Sequence, residues 1–138
     1  MFWMNGLRKP QTFDLLGFTH YWGKTPKGNW AVRRKTMKSR LARSIQKIEQ
    51  WCRKNRHKSV REQWKELCAK VRGHYSYYGI TGNMRQLKCF LCQVQRSWRR
   101  WLNRRNSKRG FTWEKFQKFL TRYSLPIPKI VQSVFNGK

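Results

Sequence analysis

Apolar residues recur along this chain at two different spacings, and the change of spacing divides it. From Phe13 to Trp22 the run Phe-Asp-Leu-Leu-Gly-Phe-Thr-His-Tyr-Trp has alternating and continuous apolar character, which reads as a strand. Gly23 to Asn29 holds two glycines and a proline and reads as a turn. Trp30-Ala-Val-Arg-Arg resumes as a second short strand. The pair predicts a β-hairpin over residues 13–34, and a lone hairpin is marginal in water. It needs a sheet or a helical face to rest on, which points to a partner upstream. Residues 1–12 show no regular pattern.

From residue 35 the period becomes helical. Met37, Leu41, Ile45, Ile48 and Cys52 step by four, four, three and four, so they share one face of a first helix over 35–55. Lys38, Arg40, Arg43, Lys47, Arg53 and Lys54 occupy its other faces. After the basic loop Arg56-His57-Lys58, Ser59 followed by Glu62 forms a capping box. It opens a second helix on which Val60, Trp64, Leu67, Cys68, Val71 and Tyr75 share a face. Gly79 ends this helix near Tyr78. Thr81-Gly82-Asn83 is a turn. The cleanest stripe follows, with Met84, Leu87, Leu91, Val94, Trp98 and Trp101 on a third helix running to about Arg105. Three such helices joined by short loops predict a small bundle.

A polar break at 106–110 leads to Thr112, an N-cap for a fourth helix with Trp113, Phe116, Leu120 and Tyr123 on one face. Pro126 and Pro128 stop it. Beyond Lys129, the residues Ile130, Val131, Val134 and Phe135 predict one or two more helical turns that dock back. The expected fold is mainly α: an N-terminal β-hairpin (13–34), a three-helix bundle (35–105) and a small helical C-terminal extension (106–138).

The second helix runs into the stretch Arg72-Gly-His-Tyr-Ser-Tyr-Tyr-Gly-Ile80 near the middle of the chain. Three tyrosines so close cannot all point one way on a helix. Some are expected in the core, each hydroxyl finding a partner, and others at the surface. Tyr77 or His74 is the residue expected to face a nucleic-acid backbone or base.

Charge then narrows the class of partner. Thirty-three Lys and Arg stand against five acids, for a formal net charge of +28. Self-repulsion at that charge opposes compaction, and a polyanion relieves it. Eight Trp and eight Phe argue for a packed core and against a disordered basic tail. No apolar run reaches the roughly 18 residues needed to cross a bilayer. No secretory apolar stretch with a small-residue cleavage site opens the chain, so a cytoplasmic protein is expected.

Catalytic chemistry finds little to work with. Asp14, Glu49, Glu62, Glu66 and Glu114 are scattered, whereas two-metal phosphoryl transfer needs carboxylates held close. Cys89-Phe-Leu-Cys92 has CxxC form, but Cys52 and Cys68 sit singly on apolar stripes and the histidines are not at ligand spacing. The four thiols are expected to be reduced, with 52 and 68 in the core and 89 and 92 a free pair. No metal, cofactor or phosphate loop of the P-loop kind is expected. What remains is a basic surface interleaved with aromatics. Arg96 to Arg109 holds seven bases in fourteen residues, and Arg forks suit phosphates and stack on bases. No zinc-finger or RNP motif is present, and the helices are long for a minimal helix-turn-helix.

Four segments together carry a family resemblance. Phe13-Asp-Leu-Leu-Gly-Phe-Thr-His-Tyr resembles the segment that closes the palm of group II intron reverse transcriptases. Val32-Arg-Arg-Lys-Thr, the tyrosine stretch 72–80 and Arg99-Arg-Trp-Leu-Asn-Arg-Arg resemble their maturase-specific thumb, or domain X. The likeness spans residues 13 to 135. It implies thumb helices over 35–105 and a small DNA-binding-like part over 106–138. The palm aspartates of that family have no counterpart, since the only aspartate is Asp14. The chain therefore resembles a C-terminal portion, not an enzyme by itself, though its parent family is RNA-directed DNA polymerase. The implied partner is structured group II intron RNA, with template–primer duplex, target DNA and an upstream palm-and-fingers chain as further ones. The contacts expected are Arg40, Arg43, Lys47, Arg72, Tyr77, Arg96, Arg99, Arg100, Arg104 and Arg105. The alternatives are the thumb of a split polymerase and a generic basic DNA-binding protein.

Overall fold

The computed structural model describes residues 12–24, 26–105 and 110–132. Its elements are β1 (Phe13–Leu15), β2 (Phe18–Lys24), β3 (Trp30–Thr36), α1 (Lys38–Asn55), α2 (Val60–Tyr78), α3 (Met84–Arg105) and α4 (Trp113–Arg122). The mainly α architecture behind an N-terminal antiparallel sheet agrees with the expected fold. Two details differ. The stretch from Phe13 to Trp22 is two strands, because Leu16 (φ 54°) and Gly17 (φ 87°) reverse the chain. Positive φ at both central residues is the geometry of a tight two-residue hairpin. β3 also runs on to Thr36, so α1 starts at Lys38 and not at residue 35.

The sheet has the order β1-β2-β3, with Leu15 opposite Phe18 and Phe18 opposite Thr36. Side chains alternate between faces along a strand. Phe13, Leu15, Phe18, His20, Trp22, Trp30, Val32 and Thr36 therefore share one face. At its helical end Phe18 is buried against the rings of Tyr77 (5.8 Å) and Tyr78 (5.3 Å). Further out, Phe13, Leu15, Trp30 and Val32 stay about half exposed. The Met37 amide donates to the Gly17 carbonyl at 2.9 Å, tying the β1–β2 turn to the start of α1.

One buried cluster joins all four helices. α1 contributes Ile48 and Cys52, and α2 contributes Leu67, Cys68, Val71 and Tyr75. α3 contributes Leu87, Phe90, Val94, Trp98 and Leu102, α4 contributes Phe116, and the following segment Leu125. The α3 face is wider than its sequence stripe. Phe90 and Ser97 are buried, whereas Leu91 and Trp101 flank the core and Met84 is only half-buried. Phe90 is drawn in because it stacks on His74 of α2, with ring centroids 3.6 Å apart. Trp98 lies at the centre, edge-on to Phe116 and Phe119. Its indole N–H donates to Gln63 Oε1 at 3.0 Å, and Gln63 Nε2 donates on to the Lys58 carbonyl at 2.8 Å. A buried indole N–H needs such an acceptor.

Both N-caps read from the sequence are made. The Ser59 hydroxyl accepts from the Glu62 amide and the Thr112 hydroxyl from the Lys115 amide, each at 3.2 Å. After α4 the chain runs extended, where further helical turns were expected. It is held by donors along one face of α2. Trp64 Nε1 donates to the Ser124 carbonyl and the Tyr75 hydroxyl to the Pro126 carbonyl, both at 2.8 Å. Gln132 then forms a parallel bridge with Ile80. Val134 and Phe135, part of the same expectation, lie outside the described residues.

Candidate nucleic-acid interface

α3 carries two stripes. One is the apolar face just described. The other, offset from it, holds Cys92, Arg96, the adjacent pair Arg99 and Arg100, and Asn103, each three or four residues from a neighbour on the stripe. These five line a cleft of about 560 Å³, closed on its far side by Trp113 at the start of α4. Asn103 helps to build it: its Oδ1 accepts the Phe111 amide at 2.8 Å, folding the approach to α4 back against α3. Trp113 leans on Phe116 (centroids 5.6 Å) and keeps 41% of its surface exposed.

The three arginines are not equivalent. Arg100 Nη1 meets Glu49 Oε1 at 2.7 Å, and the same oxygen accepts the Trp101 indole N–H at 2.9 Å. Partial burial pushes the Glu49 carboxyl up, but bonds from Ser97, Trp101 and Arg100 outweigh it, and the carboxyl lies below its ordinary value. Arg96 is exposed. Arg99 Nε is shut off from solvent and has no hydrogen-bond partner among the described residues. A guanidinium carries five N–H donors and matches phosphate oxygens in pairs.

The other expected contacts fall elsewhere. Arg40, Arg43 and Lys47 are exposed along one side of α1. The first two lie near the Tyr78 phenol, where burial and Tyr77 raise its pKa and the two arginines oppose the rise. Arg72 lines a separate groove of about 390 Å³ with Tyr75, Ser76, Pro126 and Lys129. Arg104 sits over the Trp101 ring at 4.9 Å, and Arg105 Nη1 donates to the Lys58 carbonyl at 2.8 Å. Tyr77 is half exposed, but its hydroxyl donates to the Leu16 carbonyl at 2.7 Å and ties the sheet to α2. His74 does not face outward. It is buried between Phe90 and Tyr78, and burial lowers its pKa to about 4.

Acidic neighbours are sparse. Among the described residues the ion pairs are Lys58–Glu66 and Arg100–Glu49. Glu62 and Glu114 sit in the first turns of α2 and α4, where they complement the helix dipole. Among the described residues no group of three or more His, Cys, Asp and Glu side chains is placed to hold a metal ion. Cys52 and Cys68 are buried, and burial pushes the Cys52 thiol up to about 12. Cys89 is exposed and Cys92 is half-buried in the cleft wall.

The sequence reading did not place Trp113 or Asn103 at the interface. Trp113 fits the apolar stripe of α4, and only its position in the first turn hints that it can protrude. Asn103 carries no signal, because its role depends on a residue eight positions away. No family model, curated protein or solved structure matches this chain. Among the described residues no helix is long and apolar enough to cross a membrane.

Proposed function

We propose that this chain is a cytoplasmic nucleic-acid-binding module of the group II intron maturase type, which binds structured intron RNA and supports its splicing-competent fold. The observation that carries the reading is the α3 surface, where three arginines converge on one cleft beside a half-exposed tryptophan. Such a surface contacts phosphates through guanidinium forks and bases through the ring. The net charge of +28, set against two ion pairs among the described residues, leaves most cations available to a polyanion. The tyrosine stretch and the Trp-Leu-Asn-Arg-Arg run supply the intron-specific part of the proposal. No catalysis is assigned to the chain alone.

The test is binding of the purified chain to a group II intron RNA, a same-length unstructured RNA and duplex DNA across a salt series. A preference for the intron RNA that persists as salt rises supports shape recognition. Equal affinities that fall together with salt would reduce the protein to a generic basic binder, because counterion release is blind to sequence and shape.

A second reading is favoured by the sheet. Phe13, Leu15, Trp30 and Val32 are half exposed on one face of the sheet, which also carries Lys24 and Arg34. A separate palm-and-fingers chain packed there would make this protein the thumb of a split RNA-directed DNA polymerase, gripping template–primer duplex or target DNA. Co-purification with such a chain, and polymerase activity that needs both, tests it.

A further inference from the structure

The cleft between α3 and α4 is more specific than a basic face. Its volume, about 560 Å³, falls in the range of about 300–1,000 Å³ usual for small-ligand sites. One wall is cationic and the other is aromatic. Arg96, Arg99 and Arg100 hold like charges together, and Glu49 compensates one of them from the side. Among the described residues, Arg99 Nε is the most enclosed of the cleft's donors without a partner. It is out of water with no acceptor among the described residues, while Arg96 and Arg100 beside it stay exposed. Three guanidiniums on one cleft, with one carboxylate paired to them among the described residues, suit an anion that enters it.

Trp113 decides what the anion is attached to. The residue is 41% exposed, although Phe116 beside it is fully covered. An indole face on a cleft wall offers a stacking surface, and unpaired bases use such surfaces irrespective of sequence. Bases inside a duplex are already stacked and present only their edges. We infer that the α3–α4 cleft takes one unpaired nucleotide of a nucleic-acid strand, its base against Trp113 and its phosphate among Arg96, Arg99 and Arg100. The inference rests on the nucleic-acid-binding reading above and deepens it: the protein reads a flipped-out or single-stranded position as well as the backbone.

Cys92 provides a reporter inside the cleft, and exposed Cys89, one turn earlier on α3, provides a reference outside it. The full-length chain is titrated by fluorescence anisotropy with short single-stranded RNA and DNA of one sequence and with the corresponding blunt duplex at fixed salt. Thiol alkylation at both cysteines is followed in parallel by peptide mass spectrometry. Single strands are expected to slow alkylation at Cys92 more than at Cys89. Trp113→Leu is expected to weaken single-strand binding by about tenfold, within the range of one lost base stack, and to leave duplex binding unchanged. Arg96→Gln, a change at an exposed position, provides a second variant and should lower the salt slope for single strands by about one. Circular dichroism of both variants checks that they fold.

A single strand that binds tightly without protecting Cys92 overturns the pocket. So does a Trp113→Leu variant that loses single strand and duplex equally. In either case the nucleic-acid reading survives with its contacts elsewhere. Failure of all three nucleic acids to bind sinks both together. Protection by RNA and DNA alike supports a pocket that reads base and phosphate, and protection by RNA alone supports one that also reads the 2′-hydroxyl.

Discussion

Asn83 clasps Thr36 by two bonds across 47 residues of sequence. Its Oδ1 accepts the Thr36 amide proton at 2.8 Å, and its Nδ2 donates to Thr36 Oγ1 at 2.7 Å. Nδ2 also donates to the Tyr78 carbonyl at 2.8 Å, and the side chain is fully buried. One amide thus locks the last residue of β3 to the turn between α2 and α3. Asn83→Ala leaves the Thr36 amide buried without an acceptor. It should cost about 2 to 3 kcal/mol in urea unfolding, the scale of a buried unsatisfied group plus a lost bond. Asn83→Asp should cost at least as much, since a carboxylate cannot donate to Tyr78. A loss no larger than that of an exposed substitution would show that the clasp is dispensable.

His74 predicts a window of acid sensitivity. Burial lowers its pKa from 6.5 to about 4, so the folded protein keeps it neutral where an unfolded chain would protonate it. Below pH 6.5 the unfolded state therefore binds more protons, and stability falls as pH drops toward 4. Across the whole window the loss is roughly 3 kcal/mol. His74→Phe keeps the stack on Phe90 and removes the titration. The difference in unfolding free energy between variant and parent should grow as pH falls from 6.5 and level off below 4. A difference independent of pH would contradict the buried, neutral imidazole.

The four cysteines should separate into two pairs. Cys89 and Cys92 reach solvent, whereas Cys52 and Cys68 are sealed in the core, with burial raising both thiol pKa values. Alkylation in native buffer should label Cys89 and Cys92 within the assay time, and Cys52 and Cys68 only after denaturant is added. Early labelling of Cys52 would mean that α1 leaves the bundle readily.

Gly79 is the point where the extended tail crosses the end of α2. The Val131 and Gln132 amides donate to its carbonyl at 2.7 and 3.0 Å. A Cβ at Gly79 would stand 2.8 Å from the Lys129 carbonyl oxygen and collide with that of Tyr75. Both obstacles are backbone, so neither can swing aside. Gly79→Ala should cost about 1–3 kcal/mol by overpacking and should speed tryptic cleavage at Lys129. Tyr75→Phe, which removes only the bond to Pro126, should cost about 1 kcal/mol. Equal proteolysis of parent and Gly79→Ala would show that the tail is not held there.

The helices were legible because their causes are local. Ser59 and Thr112 bond to amides three residues away, and the stripes of α1 and α2 repeat within a few turns. The turn at Leu16 was not legible, because leucine seldom adopts positive φ and Gly17 alone gave no boundary. The extended course of the tail depends on Trp64, Tyr75 and Gly79, all more than 50 residues earlier. Nothing in Ile130 and Val131 themselves distinguishes a docked strand from a helical turn. At the interface, the basic face of α3 was legible from spacing, and Arg96, Arg99 and Arg100 do converge. Arg104 and Arg105 lie on the same helix yet turn toward Trp101 and the Lys58 carbonyl, a choice set by neighbours and not by spacing.

The α2–α3 turn also imposes an order on the birth of the molecule. Chains emerge from the ribosome N-terminus first, and early segments can begin to pack before later ones exist. β3 is made long before Asn83, and Gly79 long before Gln132. The sheet must therefore wait for the turn, and the turn must wait for the tail, before either is fastened. Until then the growing chain carries its cations with the clasp open, beside the most abundant RNA in the cell.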